Sequence, residues 1–285
     1  MKTSTEIASA ARIVGERKAV ELIAEAGFDA WDFTMIEMCP YDYEAGKAIL
    51  TDHPLAGKRY LSFARELKRI GLEHGVVCNQ SHAPFPSYDP TIRSHLKRAI
   101  ECTAEAGGSI CVIHPCNDGS PQENAEMFLS LLPFAKEHGV KIATENMWNW
   151  DREKGESSFA ACATAQSFLA HLDAVHDPDF VACLDIGHAE MRPAGDGAAA
   201  MIRALGHHLQ ALHIHDNDLR KDSHQIPFSM KIDFEGVAAA LKEMGYNGYL
   251  TLEADTYLRH HTPETVLDGL RNMAASAKRL ADMMR

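Results

Sequence analysis

Phe180-Val181-Ala182-Cys183-Leu184-Asp185-Ile186-Gly187-His188 is a short apolar run that stops in a carboxylate, a glycine and an imidazole. An unbroken run of this length fits a strand covered on both faces, as in a parallel sheet, whereas a surface helix would interleave a polar face. Similar runs lie outward in both directions, at Ala30–Met35, Gly75–Ser81, Ser109–His114, Val140–Asn146, Leu209–Asp216 and Tyr249–Ala254. For a first strand the only candidate is Lys2–Ser9, which is short and polar.

Between the runs lie amphipathic stretches: Arg17–Ala26, Leu55–His74, Thr91–Ala106, Glu123–His138, Ala160–Leu172, Ala198–Leu205 and Phe234–Met244. Gly27, Gly75, Gly107, Gly139 and Gly245 stand where such helices stop, and Asp233 stands where an N-cap is wanted. Strand and helix in alternation make a parallel sheet. The strands recur with no break in composition, and the 285 residues exceed the roughly 250 that a closed barrel needs. The expected fold is therefore a (β/α)8 TIM barrel, a single domain over residues 1–285. A doubly wound open sheet is the alternative, but no strand leads into a GxGxxG or GxxxxGK[ST] loop.

The net charge of −12 argues against a surface that neutralises nucleic-acid phosphates, so a small-molecule, sugar-like partner is expected and no nucleic acid. The longest apolar stretches, such as Ile110–Ile113 and Val181–Leu184, fall far short of the roughly 20 residues of a membrane span. Met1–Arg12 lacks the basic and apolar segments of a secretory signal, which leads us to expect a cytoplasmic protein. Seven cysteines, an odd set without CxxC pairs, read as reduced thiols. The sequence leaves oligomeric state open and allows a homo-oligomer.

In parallel barrels the chemistry sits at the carboxyl ends of the strands. Those ends here are His82-Ala83-Pro84, His114-Pro115, Glu145-Asn146, Asp185-Ile186-Gly187-His188, His213-Ile214-His215-Asp216-Asn217 and Glu253-Ala254-Asp255. So many ionisable groups on one rim would repel one another and lose hydration unless a cation or substrate compensates them. Carboxylates and imidazoles without thiolates suit a divalent metal cation, Mn, Zn, Mg or Co. A partly shielded carboxylate beside such an ion can act as general base while the metal stabilises an enediolate, the chemistry of isomerisation or epimerisation next to a carbonyl.

Together with Asp222-Ser223-His224, this ordered set resembles the xylose-isomerase-like TIM barrel superfamily of sugar phosphate isomerases and epimerases, from about residue 20 to the end. The resemblance implies a metal held by Glu145, Asp185, His213 and Glu253, with Glu145 and Glu253 as the paired acid and base on opposite faces of the substrate carbon. It also implies substrate contacts from His188, His82, His114 and Arg220. Trp148 and Trp150 offer apolar walls for a sugar ring. The activity so implied is a metal-dependent isomerase or epimerase acting on a sugar, sugar acid or sugar phosphate.

Relatives keep two other enzymatic readings in play: a dehydratase acting on a cyclitol or keto sugar, and an abasic-site nuclease of the endonuclease-four type. The three-zinc pattern of the latter maps onto His82, His114, Glu145, Asp185, His188, His213, Asp222, His224 and Glu253, making Asp222 and His224 additional candidate ligands. A binding protein without turnover is the non-enzymatic alternative. Basic residues near the loops, Arg152, Lys154, Arg192, Arg220, Lys221 and Lys231, are the material for a phosphate clamp. His74, His138, His171, His176, His207, His208, His260 and His261 are expected on the surface.

Overall fold

A computed structural model describes residues 1–285. Eight parallel strands form one sheet: β1 (Lys2–Glu6), β2 (Ala30–Thr34), β3 (Val77–His82), β4 (Ile110–Val112), β5 (Lys141–Glu145), β6 (Phe180–Asp185), β7 (Leu209–His213) and β8 (Tyr249–Leu252). Sequential strands pair from β1 to β7, and β8 pairs with β1. Closure between β7 and β8 rests on a parallel bridge from Ile214 to Leu252, with Ile214 N donating to Thr251 O and Glu253 N to Ile214 O, both at 2.9 Å. The sheet is thus a (β/α)8 barrel, with no edge left for another chain to extend.

The polar first strand forms because barrel closure gives it two partners: Lys2–Thr5 pair with Tyr249–Leu252, and Ser4–Glu6 with Ala30–Asp32. Helices Glu16–Ala26, Tyr60–Glu73, Pro90–Ala106, Pro121–Glu137, Ala165–Val175, Ala198–Leu205 and Phe234–Glu243 lie at the expected stretches. Their starts are capped as local chemistry dictates: Asp89 accepts from Thr91 N and Ile92 N, Ser120 and Glu123 form a reciprocal capping box, and Asp233 accepts from Gly236 N. Gly27 and Gly107 end helices in the left-handed conformation, where a side chain is unfavourable.

Three features depart from the expected pattern. The run Phe180–His188 is a strand only to Asp185; residues Ile186–Glu190 form one short helix that carries His188. Small hairpins, Tyr41–Asp42 with Lys47–Ala48 and Asn149–Asp151 with Glu156–Ser158, stand in the βα loops. A final helix, Val266–Met283, buries Val266, Leu270, Met273, Ala277 and Leu280 on one face. All seven cysteines are free thiols. No helix is long and apolar enough to cross a membrane.

Candidate active site and metal centre

Strand register brings the key groups together. Asp185 pairs with His213 and Cys183 with Glu145, while the bridge at Ile214 sets Glu253 beside His213. One donor atom from each of Glu145, Asp185, His213 and Glu253 lies within 4.8 Å of the others. Glu145, Asp185 and His213 are buried, yet Glu145 Oε1, Asp185 Oδ2 and His213 Nδ1 have no hydrogen-bond partner. His213 Nδ1 and Glu145 Oε1 stand 3.1 Å apart, out of line for a hydrogen bond. Each such orphan costs about 1–3 kcal/mol in a protein interior. Three convergent orphans, two of them carboxylate oxygens, are the donor set that a divalent cation satisfies, so the residues fit a metal ion.

The support beneath this quartet is a polar chain inside the barrel. Ser4 Oγ donates to Asn79 Oδ1 at 2.6 Å, Asn79 Nδ2 to Gln80 Oε1 at 3.1 Å and Gln80 Nε2 to Asp32 Oδ2 at 2.9 Å. Asp32 Oδ2 then faces His213 Nε2 at 3.3 Å, which fixes that nitrogen as the protonated one and leaves Nδ1 as a ligand. Burial alone would raise the Glu145 carboxyl, but the imidazoles of His213 and His114 outweigh it and hold it well below the usual range. Glu253 is held down in the same way, against its own burial, by His213 and His82.

A second group, His188, His215, Asp222 and His224, also has its donors within 4.8 Å. His215 Nε2 lies 3.2 Å from Asp185 Oδ1 and 3.3 Å from Asp222 Oδ1, and both His215 Nε2 and Asp222 Oδ1 lack hydrogen-bond partners. His188 is anchored by Asp185 Oδ1, which accepts from its backbone N at 2.6 Å, and by Asn146 O, 2.9 Å from its Nδ1. Burial works against a charged His188, but Asp185 and Asp222 outweigh it and push its pKa up to about 10. The loop bearing Asp222 and His224 is tied down by buried Asp216, whose carboxylate accepts from Asn217 N, Met230 N, Lys231 N and Ile232 N. His224 sits at φ 42, a backbone conformation uncommon outside glycine, with its Nδ1 2.6 Å from Glu253 O.

The third group is His82, His114 and Glu145. Its two imidazoles meet Nε2 to Nε2 at 2.7 Å, and His114 Nε2 is 3.2 Å from Glu145 Oε2. Burial lowers the His114 pKa, leaving it neutral and able to bind a metal or a hydroxyl. Phe85 stacks on both rings.

His82, His114, Glu145, His188, Asp222, His224 and Glu253, drawn from all three groups, line a cavity of about 870 Å3, while Asp185, His213 and His215 are outside its lining. Of the residues expected to contact substrate, His82, His114, His188 and Trp148 line it, as do Asp222 and His224. Arg220 does not: it is exposed, with its backbone N bonded to Asp218. Trp150 is outside the lining as well. The sequence points to no role for His215, Asp32 or Asp216, although the i, i+2 spacing of His213 and His215 in extended chain places both on one face. Contrary to expectation, His171 is not a surface residue: it is buried, with its ring between Ser167 O at 2.8 Å and Asn124 Nδ2 at 3.2 Å.

Residues 20–279 match the model of a protein family described as xylose isomerase-like TIM barrel. An uncharacterized protein of Sinorhizobium fredii, y4fM, is 31% identical across 93% of this chain and 91% of its own length. The L-ribulose 3-epimerase of a Methylomonas species is 23% identical over 84% of this chain and 78% of that protein. The solved structure of a D-tagatose 3-epimerase-like protein superposes over the full length of both chains with a TM-score of 0.71 and 20% identity.

Proposed function

We propose that this chain, which belongs to the xylose isomerase-like TIM barrel family, is a divalent-metal-dependent epimerase or isomerase that moves a proton at the carbon beside a sugar carbonyl. The observation that carries this reading is the quartet Glu145, Asp185, His213 and Glu253, whose donors lie within 4.8 Å of one another and three of whose buried polar atoms lack a hydrogen-bond partner. Glu145, Asp185, His213 and Glu253 would hold the cation, which would supply polarisation of a carbonyl oxygen and stabilisation of negative charge on it. Glu145 and Glu253 flank His213 Nδ1, with carboxylate oxygens at 3.1 and 3.5 Å. Both carboxyls are held low, so the one facing the substrate hydrogen accepts it as a carboxylate; the other, first protonated from water, returns a proton to the opposite face and inverts the centre.

Glu253 lines the cavity and keeps 14% of its side chain exposed, against 1% for Glu145, so it has the freer path to exchange its proton with water. His188 is placed to donate to a substrate oxygen. The similarity to an L-ribulose 3-epimerase supports the same chemistry. Glu145→Gln and Glu253→Gln should each slow the wash-in of solvent deuterium at the substrate carbon by about 10²–10⁴-fold. Exchange at the native rate in both variants would exclude the assignment.

A second reading, phosphodiester hydrolysis at a multi-metal cluster, is favoured by the donor groups around His215 and His114. Metal stoichiometry separates the two: three tightly held ions per chain support the hydrolase and one supports the epimerase. A cyclitol or keto-sugar dehydratase would be distinguished from an epimerase by release of water in the product.

A further inference from the structure

The cavity above the quartet is larger than a lone sugar ring needs. Its volume of about 870 Å3 lies near the top of the roughly 300–1,000 Å3 typical of small-molecule sites. Phe85 and Trp148 stand close to the metal end: Phe85 stacks on His82 and His114, and Trp148 lies 6.4 Å from the His188 ring. Tyr43 and Tyr88 carry the lining outward to the mouth, tied together edge to face through Tyr41 at 5.0 and 6.0 Å. They are 65% and 53% exposed, a large aromatic surface at the entrance to a polar site.

The polar part of the outer lining presents acceptors. Asn117 Nδ2 donates to Trp148 O and to Asn149 Oδ1, both at 3.0 Å. Asn149 Nδ2 donates to Asp118 Oδ1 at 2.8 Å and to Phe159 O at 3.1 Å. With those amide hydrogens used inside the loops, what these side chains have left to offer a ligand is acceptor oxygens, which accept from hydroxyls and repel anions. No lysine or arginine lines the cavity, whereas Asp118, Glu145, Asp222 and Glu253 do. Arg93, the cation beside Cys116, is engaged with Ser87 O at 3.0 Å and Cys116 Sγ at 3.4 Å.

We infer that the substrate is neutral and extended: a keto sugar joined to a second ring, with the reacting sugar at the metal end and the second ring on Tyr88, Tyr43 and the Asn117–Asp118 acceptors. The inference rests on the epimerase reading. Aromatic faces bind the apolar face of a second pyranose or an aryl group, and acceptor oxygens bind its hydroxyls. A phosphate in that place would meet carboxylate and carbonyl oxygens without a compensating cation.

The test uses the manganese-loaded full chain with three probes: isomaltulose, free D-fructose and D-fructose 6-phosphate. Deuterium wash-in reports turnover and Trp fluorescence reports binding. The expected KM for isomaltulose is at least about tenfold below that of fructose, with the phosphate ester poorest. Tyr88→Ala, at an exposed position that leaves folding intact, should lower the fructose-to-isomaltulose KM ratio by about three- to tenfold. Equal KM values for the two neutral sugars, a ratio unmoved by Tyr88→Ala, or a preference for the phosphate ester overturns the inference and leaves the epimerase reading standing. A lack of both wash-in and binding with all three probes overturns both, whereas isomaltulose binding without any wash-in overturns the proposed chemistry alone.

Discussion

Asp32 touches neither the cavity nor its predicted ligands except His213, and through that one contact it sets which imidazole nitrogen is free. Carboxylate partners of metal-binding histidines commonly contribute about 10–100-fold to metal affinity. Asp32→Ala should therefore weaken manganese or cobalt binding by that range, with Asp32→Asn retaining part of it through its amide oxygen. Direct titration of the metal reads this without recourse to activity, and native affinity in both variants would remove Asp32 from the site. Glu6, at the end of β1, makes a different prediction. It is buried, bonded to Ser9 N at 3.0 Å and to Ser9 Oγ, and burial pushes its pKa up to about 7. A carboxyl whose folded pKa is raised favours folding fully below its ordinary value near 4.5 and loses that contribution as pH rises toward 7. Glu6→Gln keeps both hydrogen bonds and cannot ionise. The variant should gain on the native protein by on the order of 3 kcal/mol between those pH values, then hold that margin above them. Denaturant unfolding of the pair at pH 4.5 and 8 measures it, and a constant difference would contradict the assignment.

At the scale of elements, the short helix Ile186–Glu190 carries His188 of the second donor group. A β-carbon added at Gly187 would fall 1.9 Å from His215 Cε1, so the absent side chain is what lets the helix turn pass over that imidazole. Gly187→Ala should displace His215 and cost about 1–3 kcal/mol by overpacking. The measurement pairs urea unfolding with metal stoichiometry; a variant of native stability would show that the turn has room to move. The Ser120–Glu123 capping box is a local matter by comparison: Ser120→Ala should cost about 1 kcal/mol without changing metal binding. Helices with such start signals were legible in the chain. The two loop hairpins were not, because each has only two or three residues per strand and its pairing depends on where the barrel holds the loop ends.

For the whole molecule, a cation held among the carboxylates and imidazoles that converge on one rim would couple folding to metal. Saturating manganese should stabilise the chain by about 2.7 kcal/mol at a hundredfold excess over Kd, seen as a rise of several degrees in Tm that EDTA reverses. An unchanged melting curve would contradict a resident ion. By itself the sequence determined the alternation of strand and helix, the barrel it implies, and a rim of carboxylates and imidazoles, because these follow from short-range periodicity and from the rule that strand ends carry the chemistry; the choice of Glu145, Asp185, His213 and Glu253 among them came from the family resemblance. The polar Lys2–Glu6 was legible only as the strand left over, since its stability comes from two neighbours far away in the chain. Tertiary structure alone decided that Asp32 reaches His213 from across the barrel, that His215 joins His188, Asp222 and His224, that Arg220 turns away, and that His171 is buried. Side chains far apart in sequence meet only through strand register and loop path, which depend on packing of the entire barrel rather than on any local run of residues.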